Sequence, residues 1–371
     1  MASPDALGKV LVLGGCGFLG HHIVQKLLEA NDVSQVTVFD LRTNSQRQEG
    51  AEYIAGSITS RDDVMKVLHE AKPRVIFHTI SPQALGDESL FQGVNVEGTR
   101  TLLECARECG FVKALVYTSS SSVVHDNYSD LVGVTEDLPL LFAPKQTVVY
   151  SHTKALAEDM VLKANDIDGI RTCAIRPAGL FGEGDPTTTG NMVSSAKKGK
   201  NKNQIGDNSK LFDWSYVGNN ADAQLLAARA LLRSHTDAHP DDRRVDGEAF
   251  VITNDEPWPF WDFYRALGAA AGYPVKKEDV RVIPAGLMWI IAAMLEWLYW
   301  CFTLGTKQPL LTRKFLRLTS IHRTFDISKA KTRLGYVPRV GMKEGIRRAA
   351  QWYVSITEEE KMQSEAFRKL A

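Results

Sequence analysis

Residues 9–20 read KVLVLGGCGFLG, and this stretch decides the fold. Residues 10–13 are an apolar run, which is typical of a strand buried on both faces. Glycines follow at positions 14, 15, 17 and 20, and HHIVQKLLEA then continues with apolar residues at helical spacing. A strand, a glycine turn and a helix in this order place backbone N–H groups where they can bind a pyrophosphate. Glycine suits the turn because a Cβ would hold the phosphates away.

A second apolar strand, residues 35–39, ends at Asp40, which comes 20 residues after Gly20. In dinucleotide-binding folds an acidic residue at about this distance accepts hydrogen bonds from the adenosine ribose. An ordinary glycine turn followed by a surface aspartate would show the same sequence pattern. The complete order of strand, glycines, helix, strand and acid favours the dinucleotide site.

Composition excludes some classes of function. The chain has 371 residues, and its 44 Lys and Arg balance its 44 Asp and Glu, so there is no basic field for a nucleic-acid partner. The five cysteines are odd in number and have neither the spacing of a zinc site nor that of a disulfide framework, so we expect no metal. The short polar segment before the first strand is unlike a signal peptide, which predicts a catalytic part that faces the cytosol.

Strand and helix patterns alternate along the first half of the chain. This alternation predicts an α/β fold with a doubly wound parallel sheet, whose ligands bind at the carboxyl ends of the strands. We expect a nucleotide-binding domain over 1–185, with returning segments near 214–253. The remaining segments predict a smaller second lobe over 186–213 and 254–345, and a C-terminal helix and tail over 346–371.

Two further motifs lie downstream of the glycine turn. A run of serines, residues 119–122, directly follows the apolar strand 114–118. Tyr150 and Lys154 are four residues apart, so they share one face of a helix. A lysine beside a phenol is expected to lower the pKa of the tyrosine, which a base working near neutral pH needs. Such a pair also occurs by chance, and its position after the serine-ended strand gives it weight. We interpret His152 as a surface or packing residue.

Residues 285–304, AGLMWIIAAMLEWLYWCFTL, contain one charged residue, Glu296. About 20 apolar residues can cross a bilayer, and tryptophans suit its interface. The alternative is a buried helix that lines an apolar substrate pocket. Glu296 shares a helix face with tryptophans, so a helix inserted part-way, or packed on the second lobe, is favoured over a free span. We interpret residues 197–202 as a solvated face, and basic residues flank the apolar stretch at Lys276, Lys277, Arg281, Lys307, Arg313 and Lys314.

The ordered motifs cover nearly the whole chain: GGCGFLGHHIV, NVEGT at 95–99, VYTSSSSVV at 116–124, YSHTK at 150–154, IRPAGLFG at 175–182 and FDISKAKTRLGYVP at 325–338. This set resembles the extended short-chain dehydrogenase/reductases, and within them the 3β-hydroxysteroid dehydrogenase group. The nearest similarity is to the fungal sterol-4α-carboxylate 3-dehydrogenases (decarboxylating). The resemblance implies a Rossmann domain with a smaller, discontinuous C-terminal substrate lobe.

The resemblance also implies roles for individual residues. Ser120, Tyr150 and Lys154 match the catalytic set. Residues 56–58 read Gly-Ser-Ile where the family often has Gly-Asp-Ile, so a contact to adenine is in doubt. NAD is the expected cofactor because Asp40 would repel a 2′-phosphate, although Arg42 leaves NADP open. The implied cofactor-binding residues are Gly14, Gly17, Phe18, Leu19, Gly20, Asp40, Ile58, Tyr150, Lys154 and Pro177.

The activity that the resemblance implies is oxidation of the 3β-hydroxyl of a 4α-carboxysterol, with loss of the carboxylate as CO2, in sterol (ergosterol) biosynthesis. It also implies a site on the endoplasmic reticulum membrane with the catalytic domain toward the cytosol. The expected partners are the sterol, the membrane surface, other enzymes of sterol carbon-4 demethylation and a second copy of the chain.

Three other functions stay open at this point. Another 3β-hydroxysteroid dehydrogenase/isomerase and a nucleotide-sugar epimerase or dehydratase would share the scaffold, but the apolar stretch 285–304 argues against a sugar substrate. A non-enzymatic NAD(P)-binding sensor of the same fold commonly loses the tyrosine and lysine pair, which this chain retains.

Overall fold

The computed structural model describes residues 5–82, 88–236, 243–304, 309 and 311–356. Its strands are β1 (Gly8–Leu13), β2 (Val33–Asp40), β3 (Ala51–Ala55), β4 (Val75–His78), β5 (Ala114–Thr118), β6 (Leu131–Val134), β7 (Arg171–Pro177), β8 (Gly179–Phe181), β9 (Asn203–Ile205), β10 (Leu211–Phe212), β11 (Trp214–Tyr216), β12 (Ala249–Ile252), β13 (Trp258–Pro259), β14 (Arg281–Ile283) and β15 (Arg323–Phe325).

The α-helices are α1 (Phe18–Leu28), α2 (Arg61–Ala71), α3 (Ser89–Phe91), α4 (Gly98–Cys109), α5 (Val149–Lys163), α6 (Thr188–Lys197), α7 (Val217–Arg233), α8 (Phe260–Ala270), α9 (Ala285–Thr303), α10 (Arg313–Leu318) and α11 (Met342–Ser355). Short 3₁₀ segments lie at Ser121–Val124, Lys200–Lys202 and Lys277–Asp279, and π-helical turns lie at Gln92–Glu97 and Ala330–Leu334.

The main sheet has seven parallel strands in the order β12-β7-β5-β4-β1-β2-β3. Helices α1 and α7 cover one face, and α2, α4 and α5 cover the other. Every residue of the central strands β4 and β5 is buried, which explains why both are apolar up to their last residues, His78 and Thr118. The predicted doubly wound parallel sheet is therefore confirmed.

The glycine turn holds helix α1 against the end of β1. Gly14 has φ +81°, a left-handed conformation that side chains disfavour. A Cβ on Gly20 would lie 2.1 Å from the Gly14 carbonyl oxygen, so only glycine permits this approach of helix and turn. The sequence therefore has glycine where the backbone conformation and the packing require it.

A smaller four-stranded sheet, β13-β10-β15-β6, stands beside the main one. Strand β6, Leu131–Val134, lies within the range 1–185 that the sequence assigned to the nucleotide-binding domain, but it pairs with β15 of the C-terminal part. The difference arises because pairing between strands so far apart in sequence leaves no local pattern. The predicted boundaries between the lobes stay a prediction.

Two helices have distinctive starts. The π-helical turn Gln92–Glu97 leads directly into α4, and α7 begins at Val217, directly after strand β11. The predicted tail beyond Ile356 and the basic residue Lys307 lie outside the described residues.

Helix α9 matches the predicted apolar segment and is mostly exposed. Ala292 is its one buried residue. In the described ranges it is the helix long and apolar enough to cross a membrane, by length and composition. The helix is therefore not buried as the pocket-wall alternative expected, and its contact with a membrane stays a prediction.

A buried ion pair fastens α5 to the sheet. Arg176 of β7 donates from Nε to Glu158 of α5 at 3.0 Å, and the Glu158 side chain is fully buried. Glu158 lies one helical turn after Lys154, so the pair also fixes the position of the candidate catalytic helix.

We predict that Glu158→Ala lowers the free energy of unfolding by about 3–5 kcal/mol, because it leaves the Arg176 guanidinium buried without its partner. Urea unfolding of the two proteins measures the change. The control is Asp159→Ala on the same helix, whose surface pair with Lys163 contributes about 1 kcal/mol or less. Equal effects of the two substitutions would contradict the role of the buried pair.

Candidate active site

A cavity of about 290 Å³ opens at the carboxyl edge of the main sheet. Three predicted site residues lie in its wall: Ser120 after β5, Tyr150 at the start of α5 and Pro177 at the end of β7. The other lining residues come from both sheets and their loops: Ser121, Ser122, Asn127, Val148, Ser151, Ala178, Gly179, Phe212, Asp213, Arg323 and Phe325. A lining that combines hydroxyl groups with aromatic and aliphatic side chains suits an apolar ligand that carries a hydroxyl group.

The Ser120 hydroxyl belongs to a chain of hydroxyl groups. Its oxygen lies 2.9 Å from the Ser122 oxygen, and Ser151 Oγ donates to Ser122 at 2.9 Å. A hydrogen bond also joins Ser120 and Tyr150. The serine run is therefore more than a flexible loop, because Ser122 and Ser151 orient the hydroxyl that contacts Tyr150.

Lys154 lies behind Tyr150 on α5 and is 2% exposed. Its Nζ donates to the Thr118 carbonyl oxygen at 2.7 Å and lies 4.8 Å from the centre of the Tyr117 ring. Burial lowers the pKa of Lys154 to about 7, and the nearby Glu158 carboxylate opposes that change. The lysine thus joins the catalytic helix to the end of strand β5.

The expected depression of the Tyr150 pKa is not present. Burial raises the pKa of Tyr150 above its usual value, and the hydrogen bond with Ser120 opposes this only in part. The spacing of Tyr150 and Lys154 placed both residues on one helix, but the ammonium group bonds to Thr118 rather than to the phenol. A sequence pattern fixes the helix face and leaves the rotamer of a long side chain undetermined.

The glycine turn and Asp40 form a second group at the same sheet edge. Asp40 Oδ2 accepts the Cys16 backbone N–H at 3.1 Å, so the carboxylate lies beside the turn. Burial raises the pKa of Asp40, and backbone N–H groups oppose that change. No side chain caps helix α1, whose first residues are Phe18, Leu19 and Gly20. Free N–H groups at an uncapped helix start and an adjacent acid fit a dinucleotide.

Ile58 and Ser57 follow strand β3 near this group. Ile58 is 4% exposed and packs against Gly98 of α4, where a Cβ would meet it at 2.8 Å. The Ser57 hydroxyl lies 2.8 Å from Thr59 Oγ1, and the Ser57 N–H donates to Asp63. The serine that replaces the family's aspartate is thus engaged within its own turn.

Arg323 is the functional candidate that the sequence did not reveal. It lies on β15, lines the cavity with Ser120 and Tyr150, and stands 5.1 Å from the Phe212 ring centre. Burial lowers the pKa of Arg323 to about 10, and within the described ranges its Nε has no hydrogen-bond partner. The pairing of β15 with β10 and β6 brings it here from the C-terminal part of the chain.

Asp213 lines the same cavity and does not neutralise Arg323. Its Oδ2 accepts the Phe325 N–H at 2.8 Å, and burial raises its pKa to about 7. A carboxyl group with this pKa is largely uncharged below neutral pH. Below neutral pH the guanidinium of Arg323 is therefore the dominant charge among these lining residues.

Fold and site together define an oxidoreductase of the short-chain dehydrogenase/reductase type. Residues 11–282 match the model of the 3-beta hydroxysteroid dehydrogenase/isomerase family. The chain belongs to this family of NAD(P)-dependent enzymes, and the resemblance predicted from the motifs is confirmed.

Several relatives extend over nearly the whole chain. The sterol-4-alpha-carboxylate 3-dehydrogenase, decarboxylating, of Saccharomyces cerevisiae is 38% identical over 93% of this chain and 98% of its own. The enzyme of the same name from Mus musculus is 36% identical over 92% of this chain and 90% of its own. The 3beta-hydroxysteroid-dehydrogenase/decarboxylase isoform 1 of Arabidopsis thaliana is 37% identical over 91% of this chain and 78% of its own.

Solved structures share the fold at lower identity. The dTDP-glucose 4,6-dehydratase of Bacillus anthracis, in complex with NAD, has a TM-score of 0.67 at 21% identity and covers 96% of this chain and 98% of its own. The UDP-glucose 4-epimerase of Thermus thermophilus, also with NAD, has a TM-score of 0.66 at 21% identity, over 94% of this chain and 99% of its own. At this identity the likeness concerns the fold.

Proposed function

We propose that the protein oxidises the 3β-hydroxyl of a 4α-carboxysterol to the ketone and releases the 4-carboxylate as CO2. The observation that carries the proposal is Arg323, which lines the cavity with Tyr150 and Ser120 and whose buried Nε has no hydrogen-bond partner among the described residues. A guanidinium in a partly apolar cavity favours an anionic ligand, and it pairs well with a carboxylate. A hydroxysteroid without a carboxylate would leave this charge unpaired.

Tyr150 would take the proton of the substrate hydroxyl, and Ser120 would hydrogen-bond the same oxygen. Bound NAD would supply the acceptor for the hydride that leaves carbon 3. Lys154, held by the Thr118 carbonyl, would keep a positive charge behind the phenol whenever it is protonated. Such a charge favours the phenolate and opposes the effect of burial on Tyr150.

Decarboxylation follows from the product of the oxidation. A ketone at carbon 3 makes the 4-carboxylate a β-keto acid. The electron pair of the breaking bond to CO2 moves into the carbon 3–carbon 4 bond, and the oxygen becomes an enolate. The Tyr150 and Ser120 hydroxyls lie where they can donate to that oxygen, and a proton from solvent completes the ketone at carbon 4. Arg323 holds the carboxylate until the bond breaks.

We infer that the cofactor is NAD rather than NADP. The glycine turn and the start of α1 would hold the pyrophosphate, and Asp40 would accept hydrogen bonds from the adenosine ribose. A 2′-phosphate would meet the Asp40 carboxylate and its negative charge. The alternative, in which Arg42 binds that phosphate, predicts a preference for NADP.

We also propose attachment to the endoplasmic reticulum membrane, with the catalytic part toward the cytosol. The exposed apolar helix α9 supports membrane contact, and a sterol acid is itself carried in the bilayer. Association with other enzymes of sterol carbon-4 demethylation, and a homodimer, stay predictions.

The Tyr150→Phe variant should turn over roughly 10²–10⁴-fold more slowly, because it lacks the group that moves the proton. Steady-state kinetics with a 4α-carboxysterol measure the loss, and NADH binding by fluorescence should change little. His152→Gln, two residues along the same helix, is the control and should keep its turnover. Near-full activity of the phenylalanine variant would exclude Tyr150 as the acid/base.

The Asp40→Ala variant should lose preference for NAD. Loss of charged hydrogen bonds to the ribose is expected to lower kcat/KM with NAD by roughly 10–100-fold, while kcat/KM with NADP rises. Asp62→Ala on the surface of α2 is the control. A preference of the unmodified protein for NADP would show that Arg42 dominates the site.

The Arg323→Met variant should lose kcat/KM for the 4α-carboxysterol by roughly 10–100-fold, because the carboxylate loses a charge-assisted hydrogen bond. Oxidation of the matching 3β-hydroxysterol without the carboxylate should change little, since Met fills similar space. Arg339→Met, on an exposed arginine outside the cavity, is the control. Equal losses on both sterols would mean that Arg323 acts on the fold rather than on the carboxylate.

A further inference from the structure

The outer side of helix α9 is an uncharged apolar stripe. Four residues at helical spacing are at least half exposed: Leu287 at 50%, Ile290 at 61%, Met294 at 58% and Trp297 at 64%. Exposed apolar residues at this spacing form one continuous face. Soluble proteins rarely leave so large an apolar patch in water.

The single charge of α9 lies away from this stripe. Glu296 accepts hydrogen bonds from Arg313, from Nε at 2.6 Å and from the backbone N–H at 2.7 Å. Arg317 of the same short helix α10 lies 5.2 Å from the centre of the Trp289 ring. The charges that pack on α9 are thus on the side that faces α10. The sequence placed Glu296 on one helix face with tryptophans, and Trp289 and Glu296 both contact arginines of α10.

Both ends of α9 are tied to the same lobe. Just before it, β14 pairs with β9, and after α10, β15 pairs with β10 and β6. A helix that crossed the bilayer would require the chain to cross back before β15. The segment 304–322 contains Lys307, Arg313, Lys314 and Arg317, and this charge opposes a second crossing. Helix α9 therefore enters a membrane from one side only.

Several cations lie near the start of β14, the strand that leads into α9. In the parallel pairing of β9 and β14, Asn203 lies opposite Arg281, so the preceding Lys200 and Lys202 lie beside the residues that precede β14. These three cations form no ion pair within the described ranges. The exposed cations of these two segments are here called the cationic cluster: Lys197, Lys198, Lys200, Lys202, Lys276, Lys277 and Arg281. The same segments contain two carboxylates, Glu278 and Asp279.

We propose that α9 and the cationic cluster form one membrane-docking face, on which α9 lies in the plane of a single leaflet and the cluster binds anionic lipid headgroups. Apolar area and nearby cations act together in such surface helices. Each lysine close to an anionic leaflet strengthens binding about fivefold. The proposal deepens the proposed function, because it rests on a substrate that is carried in the bilayer.

The headgroup contact is tested with the full chain and sedimenting vesicles. Lys200→Gln/Lys202→Gln should weaken binding to mixed phosphatidylcholine–phosphatidylserine vesicles by about 25-fold. On pure phosphatidylcholine vesicles the same variant should change little, and high salt should remove the difference. The matched control is Lys66→Gln/Lys343→Gln, on exposed lysines outside the cluster. Binding of the two double variants with equal strength to the anionic vesicles overturns the role of the cluster.

The stripe is tested in the same assay. Ile290→Gln/Met294→Gln should weaken binding to both kinds of vesicle, because it removes apolar area rather than charge. Val132→Gln/Val337→Gln is the matched control, since these residues are 68% and 66% exposed elsewhere on the surface. Unchanged vesicle binding of the Ile290/Met294 variant overturns the docking of α9.

The in-plane position is tested by labelling. In a Cys301→Ser background, cysteines replace Glu278 before α9 or Leu304 after it, and the protein is bound to sealed vesicles from outside. A membrane-impermeant maleimide should label both positions. Protection of the cysteine at 304 until detergent is added would show a span and overturn the proposal.

Failure of the docking face and failure of the proposed function give different results. Turnover of a detergent-dispersed 4α-carboxysterol is measured on the same preparations of the unmodified chain. Vesicle binding without turnover would overturn the proposed function and support the docking face. Turnover without vesicle binding would overturn the docking face and support the proposed function.

Discussion

The close approach of α1 to the glycine turn is the constraint on which the dinucleotide site depends. With 2.1 Å between a hypothetical Cβ on Gly20 and the Gly14 oxygen, any side chain there would push the helix away from the end of β1. The start of the helix, with its free N–H groups, would then leave the sheet edge. Asp40 would lose the Cys16 N–H that holds its carboxylate beside the turn. The glycines and Asp40 are distant in the sequence, but the positions of both depend on the close approach of Gly20 to the Gly14 carbonyl oxygen.

Burial affects the pKa values of the candidate catalytic residues Tyr150 and Lys154 more than their side-chain partners do. It raises the pKa of Tyr150 and lowers the pKa of Lys154 to about 7, so both groups favour their neutral forms. The Thr118 carbonyl and the Glu158 carboxylate favour the ammonium form of Lys154 instead. These opposing effects leave the pKa of Lys154 near neutral pH. A small change in the surroundings of Lys154 therefore changes the charge beside the Tyr150 phenol. The sequence motif predicts the two residues but not their protonation states.

Local patterns predicted those parts of the fold that form locally. Strand β5 begins and ends where its sequence predicted, since its apolar run is set by complete burial. Arg323 was missed because its position in the cavity depends on strand pairing with Leu131 and Phe212, far away in the chain. Lysines 200 and 202 reach the residues before β14 in the same way, through the pairing of β9 with β14. Pairing between remote segments leaves no period in the sequence.

The segment from α10 to β15 connects the exposed apolar helix α9 to the cavity. Its three arginines meet different surroundings: Arg313 pairs with Glu296, Arg317 lies 5.2 Å from both the Trp289 and the Tyr128 rings, and Arg323 lines the cavity. Tyr128 follows Asn127, which is itself part of the cavity wall. Because these contacts follow one another along a short stretch of chain, α9 cannot shift far without moving the strand that carries Arg323. A helix in the leaflet would therefore hold the cavity close to the bilayer in which a sterol acid is carried.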